Sequence, residues 1–146
     1  MDFVKDLLLN YYFIACVSAW LISIVLKAAL HSLTNRKKFH MMYGFQNGGM
    51  PSSHTSIVAA LTFSIFFKTS SFSDLFFISA VFSLLVVADA IRIRNNVGLQ
   101  GEKINELLKE FNEEPIKVVY GHSVSQVIGG AILGFLCAFI LKIILF

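Results

Sequence analysis

Four apolar runs separated by short polar stretches dominate the chain, at residues 11–33, 51–67, 75–91 and 124–146. Lys27 and His31 are the only interruptions of the first run, and Lys142 is the one charge in the last. A helix that crosses a bilayer needs roughly 20 apolar residues, with about 17 as a lower limit. The first and last runs therefore cross easily. The two middle runs are marginal, and the polar stretch 68–74 between them reads as a tight turn. They form either two short tilted spanning helices, the reading preferred here, or a hairpin that stops short of a full crossing. After the third run the period changes. Ile104, Leu107, Leu108 and Phe111 recur at spacings of three and four, which predicts an amphipathic helix over 98–111 that Asn112-Glu113-Glu114-Pro115 ends. The expected fold is all-α: an integral membrane helical bundle of about four transmembrane helices plus a short amphipathic cytoplasmic helix, forming one domain over 1–146.

Composition sharpens this picture. Hydrophobic residues make up 56% of the chain and charged residues only 14%, against about 25% charged in a soluble domain. The net charge of +3 does not point to nucleic acid, because the cations gather at the ends of apolar runs. Arg36, Lys37 and Lys38 follow the first run, and Arg92, Arg94, Lys103, Lys109 and Lys117 follow the third. Positive residues favour the cytoplasm, so both long loops are expected there and both termini on the opposite side. Met1 to Asp6 lacks the basic start and cleavage pattern of a secretory signal, so the first run is expected to stay in the mature protein. Cys16 and Cys137 each sit inside an apolar run and read as small packing residues. Gly130 and Gly134 form a small-xxx-small face suited to close helix packing.

With that topology, the polar residues embedded in the apolar runs gather at one membrane face. The first run ends with Lys27 and His31, on one helical face at i,i+4. The second begins with Gly48-Gly49-Met50-Pro51-Ser52-Ser53-His54-Thr55, the third ends with Asp89, Arg92 and Arg94, and the fourth begins with Gly121-His122-Ser123. Pro suits the first positions of a helix, and Ser52, Ser53 or Thr55 can cap it. Such a helix start attracts anions through its free N–H groups and its dipole. An acid such as Asp89 inside an apolar run is costly and is expected to face the interior and pair, with Arg92 or Arg94 in reach. Taken singly, Lys27 could snorkel and the histidines could be interfacial. Together, two histidines, one Asp and three cations at a shared depth make a phosphate site.

The chemistry this permits is phosphoryl transfer from a monoester, with one imidazole attacking phosphorus and a second protonating the leaving oxygen. Cations and N–H dipoles hold the equatorial oxygens. The chain has no P-loop and lacks the carboxylate density of a two-metal site, so metal-independent chemistry with no cofactor is expected.

These motifs resemble those of the type 2 phosphatidic acid phosphatase superfamily, which includes vanadium-dependent haloperoxidases. Pro51-Ser52-Ser53-His54 is similar to its Pro-Ser-Gly-His motif, and the stretch from Gly121-His122-Ser123 through Gly129-Gly130 is similar to its third motif. The chain looks most like a divergent branch of small membrane proteins related to acid phosphatases. The shared pattern runs through Trp20, Lys27, Gly48 to His54, Asp89-Ala90, Arg94, Gly98, Gln100, Asn105 and Gly121-His122. The resemblance implies that His122 is the phosphorylated nucleophile and His54 the general acid, with Ser52 and Ser53 contacting phosphate. Lys27 and Arg94 stand in for the superfamily's other phosphate-binding cations. The superfamily's Asp four residues after the nucleophile is Gln126 here, so Asp89 is the candidate third catalytic residue, supplying charge to His122 from a neighbouring helix. The Arg six residues before the nucleophile is Ile116 here, with Lys117 beside it.

The expected activity is a lipid phosphate phosphatase in a bacterial inner membrane, its site toward the cytoplasm. Phosphatidylglycerophosphate, phosphatidic acid and isoprenoid phosphates are the candidate substrates, and a homodimer could complete the headgroup pocket. The alternative is a non-catalytic membrane protein that binds anionic lipids and needs no histidines. A carrier is disfavoured, because four helices hold no broken-helix repeat.

Overall fold

In a computed structural model, which describes residues 3–46, 48–69 and 72–145, helices account for the regular structure of the described chain. α1 spans Phe3–Leu8, α2 Tyr11–Thr34, α3 Ser53–Lys68, α4 Asp74–Ala88, α5 Arg94–Glu110 and α6 Val124–Leu145. A 3₁₀ turn, Met41–Phe45, interrupts the loop after α2, and one π-helical turn, Asp89–Ile93, joins α4 to α5. Ser70 and Ser71 of the expected polar turn lie outside the described residues.

The helices start where local chemistry supplies acceptors for free N–H groups. The Asn10 side chain accepts from Tyr12 and Phe13 N–H, Ser52 Oγ from Thr55 N–H and Ser73 Oγ from Phe76 N–H, at 3.0 to 3.4 Å. Ser52 is thus the cap of α3, and Pro51 precedes the cap instead of opening the helix.

Three helical stretches are long and apolar enough to cross a membrane: Tyr11–Thr34, Asp74–Glu110 and Val124–Leu145. The fourth expected span, α3, has only 16 residues, about 24 Å. It lies between α2, α4 and α6 and makes its main contacts with them. The third span also differs from expectation. The apolar run does not end in a loop at residue 91. It passes through the π turn into α5, so the amphipathic helix expected over 98–111 is the distal part of a 37-residue helical stretch. Asn112, with φ 55°, ends α5 in the left-handed conformation typical of a helix C-terminus.

Small residues bring the helices together. Ala15, Ala19, Ala60 and Cys137 form the buried cluster, with Leu133 and Leu141 packed on it. Cys16 and Cys137 are free thiols, as expected of packing residues. The Gly130–Gly134 face of α6 lies directly on α3. A Cβ on Gly130 would sit 2.6 Å from the Ser52 carbonyl oxygen, and one on Gly134 2.5 Å from the Ser56 carbonyl oxygen. The large apolar side chains point outward instead, as in Leu21, Val25, Phe77, Ile78, Ile132 and Ile143, where lipid meets them.

Helix length then sets depth. At one end of the bundle the Tyr11 hydroxyl donates to the Ala138 carbonyl at 2.8 Å, and the Lys68 ammonium lies 5.3 Å from the Tyr12 ring centroid. That end holds the start of α2 and the ends of α3 and α6. Sixteen residues of α3 rise about 24 Å from it, and an equal rise along α2 reaches Lys27. Counting back along α6 from Ala138 reaches the neighbourhood of His122. The short helix therefore stops beside Lys27, and α2 continues about 10 Å further. The recess left above α3 is where the polar residues meet.

The α3–α6 seam makes a direct prediction. Gly134→Leu should lower stability by about 1–3 kcal/mol through overpacking, seen as a lower melting temperature in detergent. Ile132→Phe, on the exposed side of the same helix, should change it by less than about 0.5 kcal/mol.

Candidate active site

The recess is a cavity of about 210 Å³ whose lining includes Lys27, Ser53, His54, Arg94 and His122. The imidazoles of His54 and His122 face each other with ring centroids 6.5 Å apart. Five of the seven residues singled out from the sequence thus line one cleft, and the other two, Ser52 and Asp89, take different places.

Ser52 is fully buried. Its Oγ caps α3 and accepts from the Thr55 hydroxyl at 3.0 Å, and its backbone N–H donates to the Gln126 carbonyl at 3.0 Å. It holds the helix start in place, and Ser53 faces the cleft instead. Among the described residues Ser53 Oγ is buried with no hydrogen-bond partner, an arrangement that normally costs about 1–3 kcal/mol. Asp89 was expected to face the interior, to pair with Arg92 or Arg94 and to serve His122. Its carboxylate accepts from Arg94 Nε at 3.2 Å with both side chains 42% exposed, because the π turn that Asp89 opens leads directly into Arg94, five residues on. Arg92, the other candidate partner, is exposed.

The group that orients His122 is Gln126, whose Oε1 lies 2.9 Å from His122 Nδ1. The same Oε1 accepts from the Ser123 backbone N–H at 3.2 Å. A backbone N–H can only donate, so Oε1 is the acceptor in both contacts and His122 Nδ1 must carry the proton. That leaves the lone pair on Nε2. The backbone of His122 is fixed too: its N–H donates to the Ala90 carbonyl of the π turn at 2.9 Å. Gly121 permits this approach, because a Cβ there would lie 2.4 Å from that same oxygen. His122 is 4% exposed, and this burial pushes its pKa below the ordinary value of 6.5. The Gln126 hydrogen bond pulls it back up in part, and Lys27 and Arg94 add to the lowering. Taken together these effects favour the uncharged imidazole.

Lys27 is 6% exposed. Among the described residues no acid lies within ion-pair distance of it. Gly49, at φ 81°, packs against its stem: a Cβ there would meet Lys27 Cγ at 3.2 Å. Lys27 and the Asp89-paired Arg94 are the cations of the cleft, so the walls suit an anion.

Several supporting residues were not legible as such in the sequence. Residues 113–122 return alongside α5, tied to it by Asn105, which exchanges two hydrogen bonds with Ile116, and by Asn95, which accepts from Gly121 N–H. The Tyr120 hydroxyl donates to Glu102, and the Tyr120 ring covers Gly98, where a Cβ would meet it at 2.5 Å. Gly98 and Asn105 of the shared pattern are therefore the fittings that carry His122 back to the cleft. Trp20, Phe45, Gln46, Val119 and Tyr120 also line it. Lys117 does not reach this cleft; it lines an outer cavity with Val118 and Gly121.

A helical integral membrane protein with two facing histidines in a cationic recess is the class that fold and site define. The chain belongs to the Divergent PAP2 family, whose profile matches residues 8–137. An "Uncharacterized membrane protein YuiD" of Bacillus subtilis (strain 168) is 28% identical over 153 aligned residues, which cover 93% of this chain and 96% of that relative. No solved structure matches.

The amide at 126 has a measurable consequence. Replacing Gln126 by Glu puts a negative charge on Nδ1–H, which favours the imidazolium and raises the His122 pKa. In side-chain ¹⁵N spectra, wild-type His122 should be neutral and Nδ1-protonated at pH 7, and its titration should move to higher pH in Gln126→Glu. An Nε2-protonated His122 in the wild type would contradict the assignment of donor and acceptor.

Proposed function

We propose that the chain is a metal-independent phosphatase for membrane lipids bearing a terminal phosphate, acting through a phosphohistidine on His122. The observation that carries this reading is the pair of imidazoles 6.5 Å apart, across a cleft shared with Lys27, Ser53 and Arg94. That gap admits a tetrahedral phosphoryl group between a nucleophile and a proton donor. Membership of a PAP2-related family supports the same chemistry.

In the first step the lone pair of His122 Nε2 attacks phosphorus and the phosphorus–oxygen ester bond breaks. The imidazolium of His54 gives its proton to the departing alkoxide, and the lipid alcohol leaves. In the second step neutral His54 takes a proton from water. The resulting hydroxide equivalent attacks the phosphohistidine, the phosphorus–nitrogen bond breaks, and inorganic phosphate and free His122 remain. Lys27, Arg94 and Ser53 Oγ hold the nonbridging oxygens, aided by the backbone N–H groups at the start of α3. The negative charge of a bound monoester favours the protonated form of His54 that the first step uses. Asp89 acts on Arg94 in this scheme, fixing the guanidinium by a charge-assisted hydrogen bond, and is a positioning residue.

The two clusters of Lys and Arg, at 36–38 and 92–117, lie at the same end of the bundle as the cleft, which supports a site facing the cytoplasm with both termini outside. Phosphatidylglycerophosphate, phosphatidic acid and isoprenoid phosphates are all substrates of the proposed class.

Phosphate release from these lipids in detergent tests the reading. Wild type should turn over with EDTA present, and acid-labile ³²P should be trapped on the protein. His122→Ala should abolish both, and His54→Ala should slow kcat by about 10²–10⁴ for an ester with a poor leaving group. Lipid binding that survives replacement of both histidines by Gln, with no turnover in the wild type, would instead identify a non-catalytic anionic-lipid-binding protein.

A further inference from the structure

A second cavity, of about 390 Å³, opens beside the phosphate cleft. It lies between the last two turns of α2, the 3₁₀ turn and the beginning of α6. Three residues, Lys27, Gln46 and Gly48, line both cavities, so the two are adjacent across the Lys27 side chain. The remaining walls are of two kinds. Leu30 and Met50, 42% and 46% exposed, sit at the outer edge. His31, Thr34, Asn35 and Gln126 bring hydrogen-bonding groups, and the His31 ring packs at a tilt against Tyr43 with centroids 4.4 Å apart.

We propose that this cavity is the lateral portal through which the substrate's non-phosphate part reaches the cleft from the bilayer, between α2 and the start of α6. The inference rests on the phosphatase reading above. A lipid phosphate held by Lys27 and Arg94 must keep its chains in the hydrocarbon layer, so the cleft needs an opening toward lipid as well as one toward water. The cavity lined by Lys117, Val118 and Gly121 lies on the side of the cytoplasmic loops. The cavity beside Leu30 and Met50 is set into the flank of the bundle, on the helix that also exposes Leu26 and Leu33 to lipid. Its mixed lining matches the junction of an amphiphile, where hydroxyl and ester oxygens meet the first methylenes. An apolar edge alone would suit chains, and a polar wall alone would suit water; this opening has both. Lys27 then stands at the boundary, its stem among the lipid-side residues and its ammonium facing the phosphate.

The experiment plugs the portal. Leu30→Trp and Thr34→Trp add bulk at exposed positions where folding tolerates it, and Ile78→Trp does the same on the exposed face of α4 as a control. Each protein is assayed on dioleoyl phosphatidic acid in mixed micelles and on the water-soluble ester p-nitrophenyl phosphate. The ratio of kcat/KM for the lipid over that for the soluble ester should fall at least about 10-fold in the two portal variants and stay at the wild-type value in Ile78→Trp. An unchanged ratio in both portal variants, or an equal fall in Ile78→Trp, overturns the portal. Occupancy by phosphatidic acid and by inorganic phosphate, measured by native mass spectrometry on the same proteins, separates the two levels of the claim. A wild type that turns over neither ester ends the phosphatase reading, and the portal is then judged on whether Leu30→Trp lowers lipid occupancy relative to phosphate occupancy. Equal occupancy ratios in wild type and variant would reject it.

Discussion

The contact between α3 and α6 holds everything else in register. Gly130 and Gly134 let the backbone of α6 lie against Ser52, Ser56 and Ala60 without an intervening side chain. Within a bilayer there is no hydrophobic gain from helix association as such, so close van der Waals packing of small residues carries it. The Ser52 N–H to Gln126 carbonyl hydrogen bond ties the end of that seam to the start of both helices. Residues adjoining these contacts, His54 and His122, are therefore brought face to face by packing that involves neither imidazole. The π turn supplies the second fixed point, since it holds the backbone of His122 through Ala90 and leads from Asp89 directly into its ion-pair partner Arg94. Such turns inside α-helices are frequent at functional sites, and here the turn ties the backbone of His122 to the segment that positions Arg94.

A recess so built is charged in one sense. Lys27 is nearly buried without an acid among the described residues to balance it, and the one carboxylate near the cleft is occupied by Arg94. Buried unpaired charge is unfavourable in the absence of a ligand, and Ser53 Oγ adds an unsatisfied hydroxyl. An oxyanion with several acceptor oxygens would offset both costs. The protein forgoes stability at the cleft and recovers it across the α3–α6 seam, a division common where a site must be ready before its ligand arrives.

Much of this was readable from residue order, and the unread part has identifiable causes. The four apolar runs became four helices, and Lys27, Ser53, His54, Arg94 and His122 met at one depth because alternating helices put every second terminus at the same face. What the sequence did not display was continuity. Residues 89–94 contain Asp and two Arg, which read as the end of a span, yet all have helical backbones and the helix runs on to Glu110. Hydropathy detects where the lipid ends and is silent on whether a helix does. The short second run looked like a marginal span; its shortness is what creates the recess. Ser52 and Ser53 are chemically identical, and only helix geometry separates the one that caps from the one that faces the cleft. Asn95 carried no signal of its own, because it acts on a backbone atom distant in sequence.

Asp89 is the instructive case. The need for charge behind His122 seemed to follow from a carboxylate that this chain lacks at position 126. In the folded protein that need is met differently. An amide oxygen fixed by two donors sets the tautomer and the ring orientation without any charge, which is the part of the task that concerns geometry. The remaining part, stabilising an imidazolium, applies to a histidine that accumulates positive charge. A neutral imidazole whose Nε2 attacks phosphorus acquires charge only as the phosphoryl group, itself anionic, becomes bonded to it. Lys27 and Arg94 already disfavour protonation of the free ring, and a neutral partner leaves that bias in place, keeping the ring unprotonated at lower pH than a carboxylate would. Asp89 is thereby free to hold Arg94, where a full negative charge beside a guanidinium contributes a charge-assisted hydrogen bond. The exchange of Asp for Gln at 126 is coherent with a site that acts on phosphate through an uncharged histidine and confines its carboxylate to positioning a cation.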